Sequence, residues 1–376
     1  MSVDDYAILT LVTALITVSA GLGQFGADSI VNRHVVAPDL RMFFRVFCTS
    51  MIAALVTITA AVGYYGTGWP VALLLGFAIV CQSVVYFAAA YSRSQHNFRV
   101  SLLVFNSFNY VLLAIAIVVS LQTRHGILYP LAAITCLLFM TAAWSLVHLR
   151  RKYSTISASY SYNWREALVW TSITGSAVVL LQLERLITPK LLTLEDLATL
   201  GILLAIVGPP FRLLQLTLGY VLLPKLRRAQ SPRERSSLIL REIWIAFSLL
   251  VPCWILTWYL VPVLDDLFFG AKYPLTGNLV LAVIVASTAK ALSGISTASV
   301  AGVASDRHLE LSGLVSWAGV AVSLMAAYVG SGYGLAGVVY GVSLGWFLRI
   351  VVAAFIVRKH FAADGQADGA VERSLP

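Results

Sequence analysis

Charge is scarce in this sequence. Asp, Glu, Lys and Arg together make up 11% of its 376 residues, 59% are hydrophobic, and the mean hydropathy is +0.85. A soluble domain carries about 25% charged residues, so the apolar excess here needs lipid around it. The ten-residue alternation of a transmembrane β-barrel is missing as well. Cysteine is rare: Cys48, Cys81, Cys136 and Cys253 lie inside apolar stretches, without the spacing of a metal site or a disulfide framework. The six histidines (His34, His96, His125, His148, His308, His360) stand in loops or at the ends of apolar runs, and none has zinc-type spacing with a carboxylate. There is no phosphate-cradling glycine loop, hence no sign of an ATP motor, and no cofactor is implied. No cleavable signal peptide is visible, because the first apolar run follows Asp4-Asp5 rather than a basic segment.

Long apolar runs are present instead. Eleven of them, each about 20 residues and so able to cross roughly 30 Å of hydrocarbon as a helix, fall near residues 6–30, 42–65, 71–91, 100–121, 127–149, 166–187, 197–223, 238–262, 277–303, 309–329 and 334–358. The expected fold is an all-α integral membrane protein of about eleven spans. Residues 361–376 (FAADGQADGAVERSLP) are polar and read as a disordered tail.

The net charge of +9 would suggest nucleic acid in a soluble chain, but here it sits in short loops, where it orients the protein. Lys and Arg alternate between successive connections. One set of loops holds eighteen of them and the other only Arg124, Lys190 and Lys272. The positive-inside rule therefore places the C-terminus in the cytoplasm and the N-terminus outside. An exported N-terminus without a signal prompts a search for internal symmetry. Val3-Asp4-Asp5-Tyr6-Ala7-Ile8-Leu9 matches Leu194-Glu195-Asp196-Leu197-Ala198-Thr199-Leu200 in pattern, and each opens a long run that ends in basic residues. If span 197–223 repeats span 6–30, span 166–187 has no counterpart, and six plus six helices have become five plus six. The expected units are a bundle over 1–152, a second over 153–360 and the tail, with one further helix encoded upstream of Met1. An in-frame stop immediately before Met1 would refute that last expectation.

Several stretches carry a family resemblance. Asp4-Asp5-Tyr6-Ala7, Gln182-Leu183-Glu184-Arg185-Leu186, Leu194-Glu195-Asp196-Leu197-Ala198 with Gly201-Ile202, Val221-Leu222-Leu223-Pro224-Lys225-Leu226 and Leu267-Phe268-Phe269-Gly270-Ala271-Lys272-Tyr273 occur in order along nearly the whole chain. Together they resemble the polysaccharide-export branch of the multidrug/oligosaccharidyl-lipid/polysaccharide flippase superfamily, the Wzx-type O-antigen flippases. Glu184 stands where that pattern has Asp, and the family's first helix is absent. The resemblance implies a bacterial inner-membrane protein, not an enzyme. It would carry a polyprenyl-diphosphate-linked oligosaccharide to the outer leaflet, with membrane lipids and polysaccharide polymerase or assembly proteins as further partners.

Six residues are candidates for cargo contact. Lys290 lies near mid-bilayer, where a charge costs roughly 3 kcal/mol; it faces a wet cavity or forms a structural ion pair. Arg212 is also deep and follows Gly208-Pro209-Pro210, a pair of prolines expected to kink its helix. Glu184 and Arg185 lie near the outer end of their span, where Arg185 binds cargo or snorkels. Asp28, with Gln24 one turn earlier, and Arg45 with Arg33 form a cytoplasmic mouth or serve as ordinary interfacial anchors. Asn106, Asn109 and Gln82 read as hydrogen-bonding glue between helices, and Gly337-x-x-x-Gly341-x-x-x-Gly345 as a stripe for close helix contact. The expected mechanism is two bundles around a central cavity that opens alternately to either side, with Lys290, Arg212 and Arg185 holding the diphosphate. Two other readings remain open: a cation-coupled drug or metabolite antiporter, and a membrane glycan polymerase or glycosyltransferase.

Overall fold

A computed structural model describes residues 2–34, 40–95, 97–120, 126–153, 163–229, 231–269, 275–303 and 306–372. Every regular element among them is helical. In order these are α1 (Val3–Gly23), α2 (Ala27–His34), α3 (Leu40–Gly63), α4 (Trp69–Ser94), α5 (Phe98–Ser120), α6 (Leu128–Tyr153) and α7 (Trp164–Leu191). They continue as α8 (Leu194–Arg228), α9 (Pro232–Phe269), α10 (Gly277–Val303), α11 (Asp306–Gly330), a 3₁₀ turn (Ser331–Tyr333) and α12 (Gly334–Glu372). Nine stretches of the described residues are long and apolar enough to cross a membrane. The last of these, His308–His360, contains two helices, and α5 adds a shorter apolar segment, Phe98–Leu112. The eleven expected spans are therefore all present as helices.

The chain divides into two compact units, Met1–Leu186 and Ile187–Pro376. In the first, α4 is the hub: it packs on α1, α2, α3, α5 and α6. In the second, α10 packs on α8, α9 and α12. Matching α1, α3, α4, α5 and α6 to α8, α9, α10, α11 and α12 in order, the third helix is central in both units. Its apolar window is 72% buried in α4 and 67% in α10, against 28% for α3 and 17% for α9. The repeat expected from a short sequence match thus recurs in the packing.

The matching stretches have a local physical meaning. Ser2 caps α1, its hydroxyl accepting from the Asp5 amide at 3.0 Å while donating to Asp5 Oδ2 at 2.7 Å. Thr193 caps α8 in a full capping box: its hydroxyl accepts from the Asp196 amide, and Asp196 Oδ2 accepts from the Thr193 amide at 3.1 Å. A hydroxyl followed three residues later by a carboxylate satisfies amides that a helix start leaves open. The acidic pairs at 4–5 and 195–196 are helix starts.

The structure departs from the sequence expectation at three places. The first span does not run from 6 to 30; it stops at Gly23, and Phe25 (φ 45°) and Gly26 (φ 71°) turn the chain into α2. A Cβ on Gly26 would lie 2.5 Å from the Ala167 carbonyl oxygen, so the turn needs glycine for its backbone angle and for its neighbour. The division between units falls at Leu186/Ile187 instead of 152/153, because α7 lies antiparallel along the end of α1. There Gly21 meets Val178, Leu22 meets Gly175 and Gly26 meets Ala167. α8 carries Gly208-Pro209-Pro210 within one helix, which is compatible with the bend expected there. Finally, α12 continues to Glu372, so the tail expected to be disordered is helical that far, consistent with its alanine content; residues 373–376 lie outside the described residues.

In the second unit, α11 and α12 form a close hairpin. Gly319 meets the Gly345 carbonyl, Gly330 and Gly337 meet backbone to backbone, and Gly341 abuts Ala326 and Ala327. Ser323 donates across the pair to the Val342 carbonyl at 2.9 Å. The small-residue stripe does what its spacing predicts.

Candidate functional site

Lys290 stands thirteen residues from either end of α10, about 20 Å from each at 1.5 Å per residue. It is 8% exposed. Its helix runs parallel to α8: a Cβ on Gly294 would meet the Gln215 carbonyl at 2.8 Å, and Gly302 abuts Leu226 farther along both helices. One turn before the Gly294–Gln215 contact come Lys290 on α10 and Phe211-Arg212 on α8. The half-buried Arg212 thus shares the level of Lys290. On the neighbouring α9, the Trp254 indole donates to Thr288 Oγ1 at 2.7 Å, which leaves the α9 side of α10 tied just before the lysine.

Position thirteen recurs in the first unit. Gln82 follows Trp69 by thirteen residues just as Lys290 follows Gly277, and Gln82 is 0% exposed. Neither end of its amide has a hydrogen-bond partner among the described residues. Each hub helix thus carries a buried polar side chain at its midpoint. The expected glue between helices is not seen here: Asn106 donates to Leu102 and Asn109 to Asn106, both within α5.

Three buried charges in the second unit were not singled out from the sequence, Arg349, Glu242 and Asp265. Arg349 on α12 is 8% exposed, its guanidinium 5.5 Å from the Trp346 ring and its stem against Gly319. Its signal was available, as a lone arginine inside the apolar Trp346–Val352 stretch. Glu242 on α9 is also buried and accepts from Lys225 Nζ of α8 at 2.6 Å.

The first unit separates the residues read there as one mouth. Gln24 and Arg45 do come together, at a shallow dent too small to admit a water molecule that is also lined by Phe25, Ala27, Met42, Val46, Thr49 and Trp164. The Arg45 guanidinium lies 5.6 Å from the Trp164 ring, and Phe25 meets that ring edge-on at 5.8 Å. The carbonyls left open where α1 ends are bonded by neighbours. Thr49 Oγ1 donates to Gly23 O at 2.6 Å, Ser83 Oγ to Ala20 O at 3.3 Å, and Gln24 Nε2 to Ser83 O at 2.5 Å. Asp28, beyond the break, goes elsewhere. Its neighbour in α2, Asn32, accepts from Arg93 Nε of α4 at 2.9 Å, and Ser29 Oγ donates to Asp28 Oδ1 at 3.4 Å. Burial pushes the Asp28 carboxyl above its ordinary range, and the charge of Arg93 partly offsets this. The Arg33 side chain lies outside the described residues.

Glu184 and Arg185 belong to the far end of α7, twenty residues or about 30 Å from Trp164. Glu184 is fully buried and Arg185 Nη1 donates to Gln182 Oε1 at 3.3 Å. Close by, Tyr65, just past the end of α3, donates to the Leu186 carbonyl at 3.0 Å, and burial together with Tyr64 pushes its phenol up to about 12. Five of the six candidates therefore fall at three places: Lys290 with Arg212 in the second unit, Arg45 beside Gln24 at one end of the first, and Glu184 with Arg185 at the other end. Asp28 stands apart from all three.

No family model matches the chain, and no curated protein matches it. A solved structure does: an inward-facing multidrug resistance MATE family transporter of the MOP superfamily, aligned over 97% of this chain and 92% of that chain, with a TM-score of 0.67 and 15% identity. At that identity the likeness speaks of fold. The protein is a multi-pass, all-helical membrane protein with the fold of a MOP-superfamily transporter.

Proposed function

We propose that the protein is a flippase that moves a polyprenyl-diphosphate-linked oligosaccharide from the cytoplasmic to the outer leaflet of a bacterial inner membrane, by alternating access and with its C-terminus in the cytoplasm. The buried Lys290 at the midpoint of α10 carries this reading. A cation at that depth costs roughly 2.5–3.5 kcal/mol, so such residues mark paths taken by polar or charged cargo. Arg212 at the same level adds a second cation, and two cations suit a diphosphate better than one. The cargo's tail is at home in lipid; its hydroxylated, anionic head is what needs them. The motif series along the chain supports the lipid-linked class of cargo. Lipids extracted from a deletion strain test the reading. Completed glycan trapped on the cytoplasmic leaflet and released by the restored gene is the expected result, while normal surface polysaccharide with unchanged lipid-linked glycan would refute it. Lys290→Ala should abolish that rescue at unchanged protein abundance.

A second reading, a cation-coupled antiporter, is favoured by the description of the structural neighbour as a multidrug resistance transporter and by the fully buried carboxylate of Glu184 within a span. Drug-stimulated proton movement in vesicles, lost in Glu184→Gln, would establish it in place of the first.

A further inference from the structure

We infer that the outward face of α9, at its basic end, is a docking site for an anionic phospholipid, whose phosphate meets Arg241 while its acyl chain lies along Phe247 and Val251. The inference goes beyond the flippase reading and does not depend on what the protein carries. α9 supplies its own ruler. Residues 243–264 hold no charge, and Glu242 and Asp265 stand at either end of that stretch. Twenty-two residues at 1.5 Å each make about 33 Å, the thickness of the hydrocarbon layer. Arg241 therefore lies in the headgroup layer, and the Lys225–Glu242 pair marks the same level on α8.

Arg233, Leu240, Arg241, Trp244, Phe247 and Val251 recur at helical spacing on one face of α9, and all are exposed. Glu242, Ala246 and Leu250 form the opposite, buried face. Trp244 is 69% exposed one turn inside Arg241, the depth at which an indole meets the polar end of an acyl chain. The same corner recurs on α3, the helix matched to α9, where the exposed Arg41 precedes the exposed Phe44 by three residues.

Charge selects the lipid. The exposed side chains of Arg228, Arg233 and Arg241 have no hydrogen bond or ion pair among the described residues. Arg235 is bonded to the neutral Ala229 carbonyl and keeps its charge, while Lys225 and Glu242 cancel. Glu234 is left against four guanidiniums. A zwitterionic headgroup would bring a further cation into this surplus; an anionic one brings only the charge that it lacks. Guanidinium forms paired bonds to phosphate oxygens, and each basic residue beside an anionic leaflet strengthens attachment roughly fivefold. An unselective interfacial anchor needs one arginine and gains nothing from the other three.

The test places the full chain in phosphatidylcholine vesicles that contain a minor fraction of either dibrominated phosphatidylglycerol or dibrominated phosphatidylcholine. Bromine quenching of tryptophan is read, and subtracting the signal of Trp244→Phe isolates Trp244. The expected result is occupancy beside Trp244 at least about fivefold higher for the anionic lipid at equal mole fraction, weakening as salt is raised. Arg241→Gln should bring the two lipids close to parity. Arg241→Lys should keep most of the preference, and because the side chain is exposed both variants should elute like wild type from a sizing column. Equal quenching by the two lipids in wild type overturns the inference and leaves an unselective anchor, and a preference unchanged in Arg241→Gln overturns it as well. A Trp244 that neither lipid quenches would also overturn it, showing that a second copy of the chain covers the face.

Discussion

Three glycines of the first unit separate two causes of intolerance that are usually mixed. Gly26 has φ 71° and a backbone oxygen 2.5 Å from where a Cβ would sit; Gly66 has φ 72° and nothing within 4 Å; Gly63 has neither restriction. Alanine at Gly66 therefore meets only the left-handed backbone, worth about 1–2 kcal/mol. At Gly26 it meets that cost plus the displacement of α7 at Ala167, a further 1–3 kcal/mol by analogy with overpacked cores, so about 2–5 kcal/mol in all. At Gly63 the change removes freedom from the unfolded chain and is neutral or stabilising by up to about 1 kcal/mol. For a unit of this size each kcal/mol shifts a melting midpoint by about 2–4 °C. Gly26→Ala should then melt roughly 5–15 °C below wild type, Gly66→Ala a few degrees below, and Gly63→Ala at or above it. Thermal unfolding of the detergent-purified proteins, followed by size-exclusion recovery, reads the series. A Gly26→Ala midpoint within a degree of wild type, or a Gly66→Ala loss equal to that of Gly26→Ala, would refute the packing of α7 against the α1–α2 turn.

Lys225→Met should destabilise the second unit by about 1–3 kcal/mol, because the buried Glu242 loses its partner; the double variant with Glu242→Gln should recover most of that, and a thermal cycle over the four proteins checks it. The Asp28 carboxyl is raised in the fold, so the stability it contributes is fully present below its ordinary value of 3.8 and is lost as pH rises through the raised value. Wild type should thus lose more stability between pH 4 and pH 7 than Asp28→Asn, and the opposite slope would contradict the burial of that group.

How far the sequence spoke depends on the element. Length and hydropathy placed the spans because a membrane demands long apolar helices, and the matching stretches 3–9 and 194–200 exposed the repeat because each opens a helix with an acidic pair, a local feature. The break at Gly23–Gly26 was hidden: helix-compatible residues stand on both sides of it, and only the neighbour at Ala167 shows why Gly26 cannot continue the helix. The allegiance of α7 was equally out of reach, since a helix apolar on every face gives no direction. Lys290 was legible because a charge among twenty-six apolar or small residues has no cheap place to go. Arg349 gave the same signal and was passed over. That Asp28 would part from Gln24 and Arg45 followed from the break, so one unseen turn set one residue of that group apart.

The α11–α12 hairpin has a mechanical consequence. Where Gly319, Gly330 and Gly341 touch the partner helix there is no room for a side chain, still less for an acyl chain. Two helices that close cannot slide or part without opening a void that lipid is too bulky to fill, so the hairpin behaves as one stiff strut. Any bending of the second unit must be absorbed elsewhere in it. Where backbone meets backbone few side chains can rearrange to take up strain, so the pair is expected to move as one body.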